Sequence, residues 1–377
     1  MPGSIQQAAS DRPHLLCARK DGLGARLSNL LWTWRLARRI DARLLAFWLP
    51  GEPNHNEGQS AGEVLDLEQL AASPLSRDIQ ILDGACKTYV RPLYVDLDTT
   101  LACDPRDYAR AAPLTGRWRE GVPIITTCRG PLLMQGEDAA AAAAEARALF
   151  ATLPPQAQVR EALEAAASRY DFSRTVAVHV RRGDIIEVLR SACSALTRGE
   201  ETRAGPLLEK YTGHFFKRCA PVEAYLRLLQ PLADEGLDIL FCSDSPDMAE
   251  PFRQRFGDRL VLAQDLAPPG LSNLPGAMFE LLLMSRCRRI VGTKSAFGLL
   301  AALAGGSEFV DARFHSTPEE FVGAYARAID LPSLSLDIHR RASDAAVRKL
   351  NDIQFVQRIW EVGDADIRAV LDACQPA

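Results

Sequence analysis

At 377 residues the chain exceeds the roughly 250–300 at which one hydrophobic core divides, so two domains are expected. A net charge of −4 argues against a general nucleic-acid binder, and no stretch approaches the about 20 apolar residues of a membrane span. Nine cysteines without a C-x-x-C pair, several in apolar runs (Cys17, Cys128, Cys242), and an opening without signal-peptide pattern lead us to expect reduced core thiols in a cytoplasmic protein.

In chain order, Leu15 to Ala18 is a short apolar strand and Asp21-Gly22-Leu23-Gly24 a turn. A helix is expected from about Leu27 to Arg39, with Leu30, Leu31, Trp34 and Ala37 on one face, and Leu44 to Leu49 is the next strand. This is a βαβ unit whose glycine turn opens a helix N-terminus toward an anion. The turn lacks the third glycine of G-x-G-x-x-G, Leu27 standing in its place, so the dinucleotide-binding and NAD-dependent oxidoreductase alternative rests on two glycines. Asp21, just before the glycines, is placed to cap the helix start.

Pro53 to Ser60 is a polar loop, Val64 to Ala71 a short helix, and Ile79 to Leu82 and Val90 to Val95 are strands. Asp96-Leu97-Asp98 matches the D-x-D pattern that holds a divalent cation on a diphosphate, a pattern common by chance, and Asp364-Ala365-Asp366 lies in a charged helical tail. Val122 to Thr127 is a buried strand; the Ala-rich run from Asp138 to Ala148 and Gln156 to Arg169 are helices. The spacing places a domain boundary at 153–174.

The stretch Thr175 to Val180 is a continuous apolar and β-branched run, suited to an interior strand of a parallel sheet. It leads into Arg181, Arg182, Gly183 and Asp184. Open α/β sheets bind ligands beyond the carboxyl ends of their strands, and guanidinium groups bind phosphate bidentately. A bare R-R-G-D is equally a solvated loop with a salt bridge, Asp184 fixing an arginine. Glu187 to Lys217, with Arg190, Arg198, Glu200, Glu201 and Arg203 and no clear period, is expected as a long polar loop, an acceptor-side lid. Beyond it, strands and helices alternate: helix Val222 to Gly236, strand Asp238 to Cys242, helix Asp247 to Phe256, strand Leu260 to Ala263, helix Ala277 to Cys287, strand Arg289 to Val291, helix Ala296 to Ala304, strand Phe309 and Val310, helix Pro318 to Ile329. That pattern is a doubly wound parallel sheet.

His179, Arg181, Arg182 and Asp184 together resemble the H-x-R-R-x-D signature of the GDP-fucose-dependent fucosyltransferases, the α1,2-, α1,6- and protein O-fucosyltransferase groups. Two further segments are similar to the same superfamily and follow in its order. FCSDS ends a strand with Asp244. FELLLMSRCRRIVGTKSAFG is similar to the L-M-S-x-C-x-x-x-I-x-x-N-S-x-F-S run, keeping Leu283, Met284, Ser285, Cys287, Ser295 and Phe297. It departs at Lys294, where asparagine is usual, and at Gly298, where serine is usual. A phosphate-loop reading of Gly292-Thr293-Lys294-Ser295 fails, because Thr293 separates glycine from lysine. The glycine turn resembles that family's Gly-rich N-terminal turn, in which an acidic residue at the place of Asp21 is the proposed base.

The resemblance implies an α/β, GT-B-like fold with two Rossmann-like domains facing an interdomain cleft: residues 1–160 on the acceptor side, 170–332 on the donor side, and a helical tail 333–377 packing back across the first. It implies an inverting, metal-independent transfer of L-fucose from a GDP-sugar donor to a glycan or other hydroxyl acceptor, with no cofactor, metal, nucleic acid or membrane span. Arg181 would grip the β-phosphate, aided by Ser295 and the amides of Ala296 and Phe297 at a helix N-terminus. Asp244 would read guanine N1 and N2, the alternative being a cap of the next helix. His179 would lie beside the base, the alternative being a core histidine. Gly22 and Gly24 would line the donor site, Arg182 would orient Asp184, and Asp21 or Glu187 would take the acceptor proton. A non-catalytic nucleotide or glycan binder of the same fold is the alternative outside enzymology.

Overall fold

The structure, a computed structural model, describes residues 14–19, 22–39, 41–48, 60–83, 124–126, 131, 133, 137–271, 273–330 and 333–353. Asp21, 53–59, Val90 to Val95, Asp96-Leu97-Asp98, Cys128 and Asp364-Ala365-Asp366 lie outside the described residues. The chain divides into two compact units, Met1–Arg160 with Ser272–Met278, and Glu161–Leu271 with Phe279–Ala377.

In the first unit β1 (His14–Arg19), α1 (Leu23–Arg39) and β2 (Arg43–Trp48) form the expected βαβ unit, with Leu15 opposite Leu44 in parallel register. The sheet order is β3-β2-β1-β4, where β3 is Ile79–Asp83 and β4 is Ile124–Thr126, and every pairing is parallel. Helix α1 starts four residues earlier than the hydrophobic spacing suggested. The carbonyl of Gly22 accepts from the amides of Ala25 and Arg26 at 3.0 and 3.2 Å, so the glycine turn is itself the first helical turn. Leu27, Leu31 and Trp34 are fully buried, and so is Arg35. Its guanidinium is tied to Glu137 and Glu145, and burial nonetheless lowers its pKa. Short helix α2 (Leu67–Ala72) is capped by Asp66, and α3 (Ala139–Ala151) by Asp138, which accepts from the Ala141 amide at 2.7 Å.

After α4 (Ala157–Ala167) comes β5 (Thr175–Val180), the centre of a parallel sheet of order β7-β6-β5-β8-β9. The flanking strands are β6 (Asp238–Ser243), β7 (Leu260–Leu262), β8 (Arg289–Gly292) and β9 (Glu308–Asp311). All six residues of β5 are buried, as a strand covered on both faces requires. The chain winds outward from β5 through β6 to β7 and then returns to β8 on the other side of β5. The strand order therefore reverses between β5 and β8, and ligands of open α/β sheets bind beyond the carboxyl ends at such a reversal.

The polar loop expected over Glu187 to Lys217 is instead two helices, α5 (Gly183–Thr197) and α6 (Glu201–Arg218), turned on Gly199 at φ 79°. Ile185, Leu189, Ala192, Cys193 and Leu196 recur at helical spacing and are buried with Ala204, Leu208, Phe215 and Phe216 of α6. The charged residues between them hid that period. The described part of the tail, α12 (Leu336–Ile353), is helical and packs on α6, on α5 and on α11 (Pro318–Ala328), all within the second unit; residues 354–377 lie outside the described residues. Ile338, Ala342 and Ala346 are buried in that shared core. Helices α7 (Val222–Asp234), α8 (Glu250–Phe256), α9 (Asn273–Met284) and α10 (Ala296–Gly305) complete the alternation.

Candidate functional site

The exit of β5 is built by residues far apart in sequence. Strand β5 ends at Val180, and Arg181 and Arg182 bridge to α5, whose N-terminus has no cap from its own side chains. Asp244, just beyond β6, supplies it. Its Oδ1 accepts from the backbone N–H of Arg182 at 2.8 Å and of Gly183 at 3.0 Å, while Oδ2 receives the Arg181 guanidinium. Asp184 takes the other end of that guanidinium. The Arg181 side chain is thus pinned at both terminal nitrogens yet remains 27% exposed. Gly183 permits this approach, since a Cβ there would lie 3.0 Å from Asp244 Cγ and Oδ2.

Arg182 does not orient Asp184. It is buried, donates to the Ala220 carbonyl at 2.9 Å and lies over the Phe215 ring at 5.9 Å. Side chains alternate along an extended segment, so the second arginine turns toward the interior while the first stays at the surface. The structure thus keeps one arginine at the surface, paired to two carboxylates, and packs the other inside.

His179 is 5% exposed, and its Nδ1 has no hydrogen-bond partner. Burial, opposed by Asp244 and reinforced by Arg181, holds its pKa at about 4, so the ring is neutral near pH 7. The ring lies 5.3 Å from that of Phe297, tilted by 32°. Gly298 lies against it, where a Cβ would come 3.5 Å from Nδ1. Ser295 caps α10: its Oγ accepts from the Phe297 amide at 3.3 Å, so that amide is already engaged. Gly22 precedes α1 and Gly24 is buried within it, in the first unit, while Glu187 is exposed on α5.

Further groups beside this exit were not singled out from the sequence. Glu280 is the single charge in the apolar run Ala277 to Met284, and burial, then the charge of Asp244, raises its carboxyl to about 7. His214 of α6 is held at about 4 by burial and by Arg218, Lys210 and Lys217. Thr293 is fully buried and donates to the Arg218 carbonyl at 2.6 Å. A lone ionisable residue inside an apolar helix was the signal available for Glu280. Among the described residues no group of three or more His, Cys, Asp or Glu is placed to hold a metal ion, and no helix is long and apolar enough to cross a membrane.

The solved structures to which the chain is similar include fucosyltransferases crystallised with GDP or GDP-fucose. One is the NodZ α-1,6-fucosyltransferase soaked with GDP-fucose: TM-score 0.41, 16% identity, 78% of this chain and 92% of that one. NodZ from Bradyrhizobium in selenomethionine form gives 0.43 and 15%, over 78% and 92%. POFUT1 in complex with GDP gives 0.44 and 10%, over 80% and 99%. At these scores and identities the likeness bears on neither substrate nor residue roles. No family model and no curated protein matches the chain.

Proposed function

We propose that the second unit binds the nucleoside diphosphate of a GDP-sugar and that the protein is an inverting, metal-independent glycosyltransferase moving L-fucose to a glycan or other hydroxyl acceptor. The observation that carries this is the Arg181 guanidinium, fixed by two carboxylates at the carboxyl end of the central strand, beside the strand-order reversal. Cleavage of the glycosidic bond leaves growing negative charge on the diphosphate. A cation held in place before reaction stabilises that charge without reorganising. The sugar passes through an oxocarbenium-like state, and Asp21 or Glu187 accepts the acceptor proton.

The neutral His179 and the Phe297 ring form one wall for the base. Asp244 accepts from guanine N1 and N2 by exchanging its Oδ2 contact with Arg181, which frees one edge of the guanidinium for the β-phosphate. Ser295 and the α10 N-terminus support the same phosphate.

Thermal shifts with GDP, UDP, ADP and NAD test the donor class: stabilisation by GDP alone is expected. Stabilisation by NAD and none by GDP would favour the dinucleotide alternative. Arg181→Ala is expected to lower GDP-fucose hydrolysis and transfer by about 10²–10³-fold, the usual loss on removing one charge-stabilising donor. Absence of any turnover in the wild-type chain, with GDP still bound, identifies a non-catalytic binder.

A further inference from the structure

Helix α6 has three faces. Ala204, Leu208, Thr212, Phe215 and Phe216 are buried. Glu201 and Glu209 turn to α12, where they pair with Arg341 and with Arg348 and Lys349. The third face carries Arg203, Leu207, Lys210, His214 and Lys217, at i, i+4, i+7, i+11 and i+14, a spacing that sets them in one line along the helix. From Arg203 to Lys217 that line runs about 21 Å, at about 1.5 Å per residue.

Arg203, Lys210 and Lys217 are exposed, and among the described residues no carboxylate pairs with them. Two rings stand between these charges. Tyr211 and His214 lie 5.0 Å apart, centroid to centroid, tilted by 57°, and the Lys210 ammonium is 5.5 Å from the Tyr211 ring centroid. Both are half-buried, Tyr211 against the core beneath, so the rings are held in place. Burial, then the neighbouring cations, keep His214 neutral near pH 7. The line leads to the exit of β5. The carbonyls of Lys217 and Arg218 at its end are taken by Arg313 and Thr293, and that of Ala220 by Arg182. His214 feels Asp184, the carboxylate that holds Arg181. The other carboxylate of α5, Glu187, is exposed and is one of the two groups offered above as the base.

We propose that this face of α6 is the acceptor subsite and that the acceptor is an acidic glycan, its anionic groups meeting Arg203, Lys210 and Lys217 and its sugar rings lying on Tyr211 and His214. This rests on the transferase reading above and names its substrate class. Cations in a row complement an extended anion, and an aromatic face offers apolar area to the C–H face of a sugar. An acidic peptide would leave the rings without a partner. A nucleic acid would meet both features, but the net charge of −4 opposes it.

The test is calorimetric titration of the full-length protein with hexagalacturonate and with its neutral methyl ester, with hexaglutamate and hexauridylate as a peptide and a nucleic acid of similar charge. Hexagalacturonate is expected to bind about tenfold more tightly than the other three, and more weakly at physiological than at low salt. Lys210→Gln with Lys217→Gln is expected to weaken it about tenfold. Tyr211→Leu, which removes the ring and keeps the charges, should weaken it about threefold. Arg253→Gln with Arg255→Gln, exposed on α8, removes as much charge from another surface and should leave it unchanged. Hexagalacturonate binding that is absent, that the α6 pair leaves unaltered or that the α8 pair weakens equally overturns the α6 assignment. Equal affinity for the ester overturns the anionic class, and equal affinity for hexaglutamate or hexauridylate overturns the glycan. A chain that binds hexagalacturonate through α6 but no GDP overturns the transferase reading and the acceptor role with it, leaving a glycan-binding face.

Discussion

His179 and Gly298 show how one missing side chain sets a local chemistry. A buried polar atom without a partner costs about 1–3 kcal/mol, and His179 Nδ1 is such an atom. Gly298→Ser would place a hydroxyl beside it from a Cβ 3.5 Å away, with Phe309 in ordinary contact at 3.4 Å. Replacing a helical glycine gains about 0.5 kcal/mol and the hydrogen bond about 1 kcal/mol, so Tm should rise by about 2–5 °C. A fall in Tm on calorimetry would show that the hydroxyl does not reach Nδ1. At this scale the sequence was legible where neighbours along the chain decide, and opaque where they do not. Arg181, Asp184 and the buried His179 follow from one unbroken strand and its exit. The cap that Asp244 places on α5 spans about sixty positions, and the inward turn of Arg182 depends on Phe215 and Ala220. None of these contacts leaves a periodic trace.

Among elements, the junction of α9 and α10 is the tightest contact among the described glycines. A Cβ on Gly305 would stand 1.9 Å from the Ser285 carbonyl oxygen, which is backbone and cannot swing aside. Gly306 at φ 67° then ends α10 in the left-handed conformation. Gly305→Ala should therefore destabilise the second unit by about 1–3 kcal/mol or more, as overpacking does, read as a lower midpoint in urea with unchanged slope. An unchanged midpoint would show that the two helices separate without cost. The strands of the second sheet were readable because each is a short apolar run closed by glycine, proline or charge. Helices α5 and α6 were not, because Arg190, Arg198, Glu200, Glu201 and Arg203 crowd the solvent side and mask a regular buried stripe.

Over the whole molecule, three perturbed groups give stability a pH dependence of mixed sign. His179 and His214 have folded pKa values near 4, below the ordinary 6.5, so the unfolded chain binds protons first as pH falls. Their contribution is intact above about pH 6.5 and is lost between 6.5 and 4. Glu280 is the reverse: its folded pKa of about 7 exceeds the ordinary 4.5, so its contribution is intact below 4.5 and is lost as pH rises to 7. Glu280→Gln should therefore gain stability relative to the wild type as pH goes from 4.5 to 7, and a difference that stays flat over that span would place the carboxyl in water. Chain length led to the expectation of two domains, and the chain divides into two compact units. Of the abnormally titrating groups only Glu280, alone in an apolar run, left a trace in the sequence; the burial of His179 and His214 is set by the packed fold.

The carbonyls that close α6 have a further consequence. Those of Lys217 and Arg218 are both occupied, by Arg313 and Thr293, whereas the opposite end starts at Glu200 without a side-chain cap and carries Gly205 and Pro206 within its second turn. The helix should unzip from one direction only. Deuterium should enter the amides of residues 202–205 well before those of 214–218, leaving the half nearest Lys294 as the last to exchange.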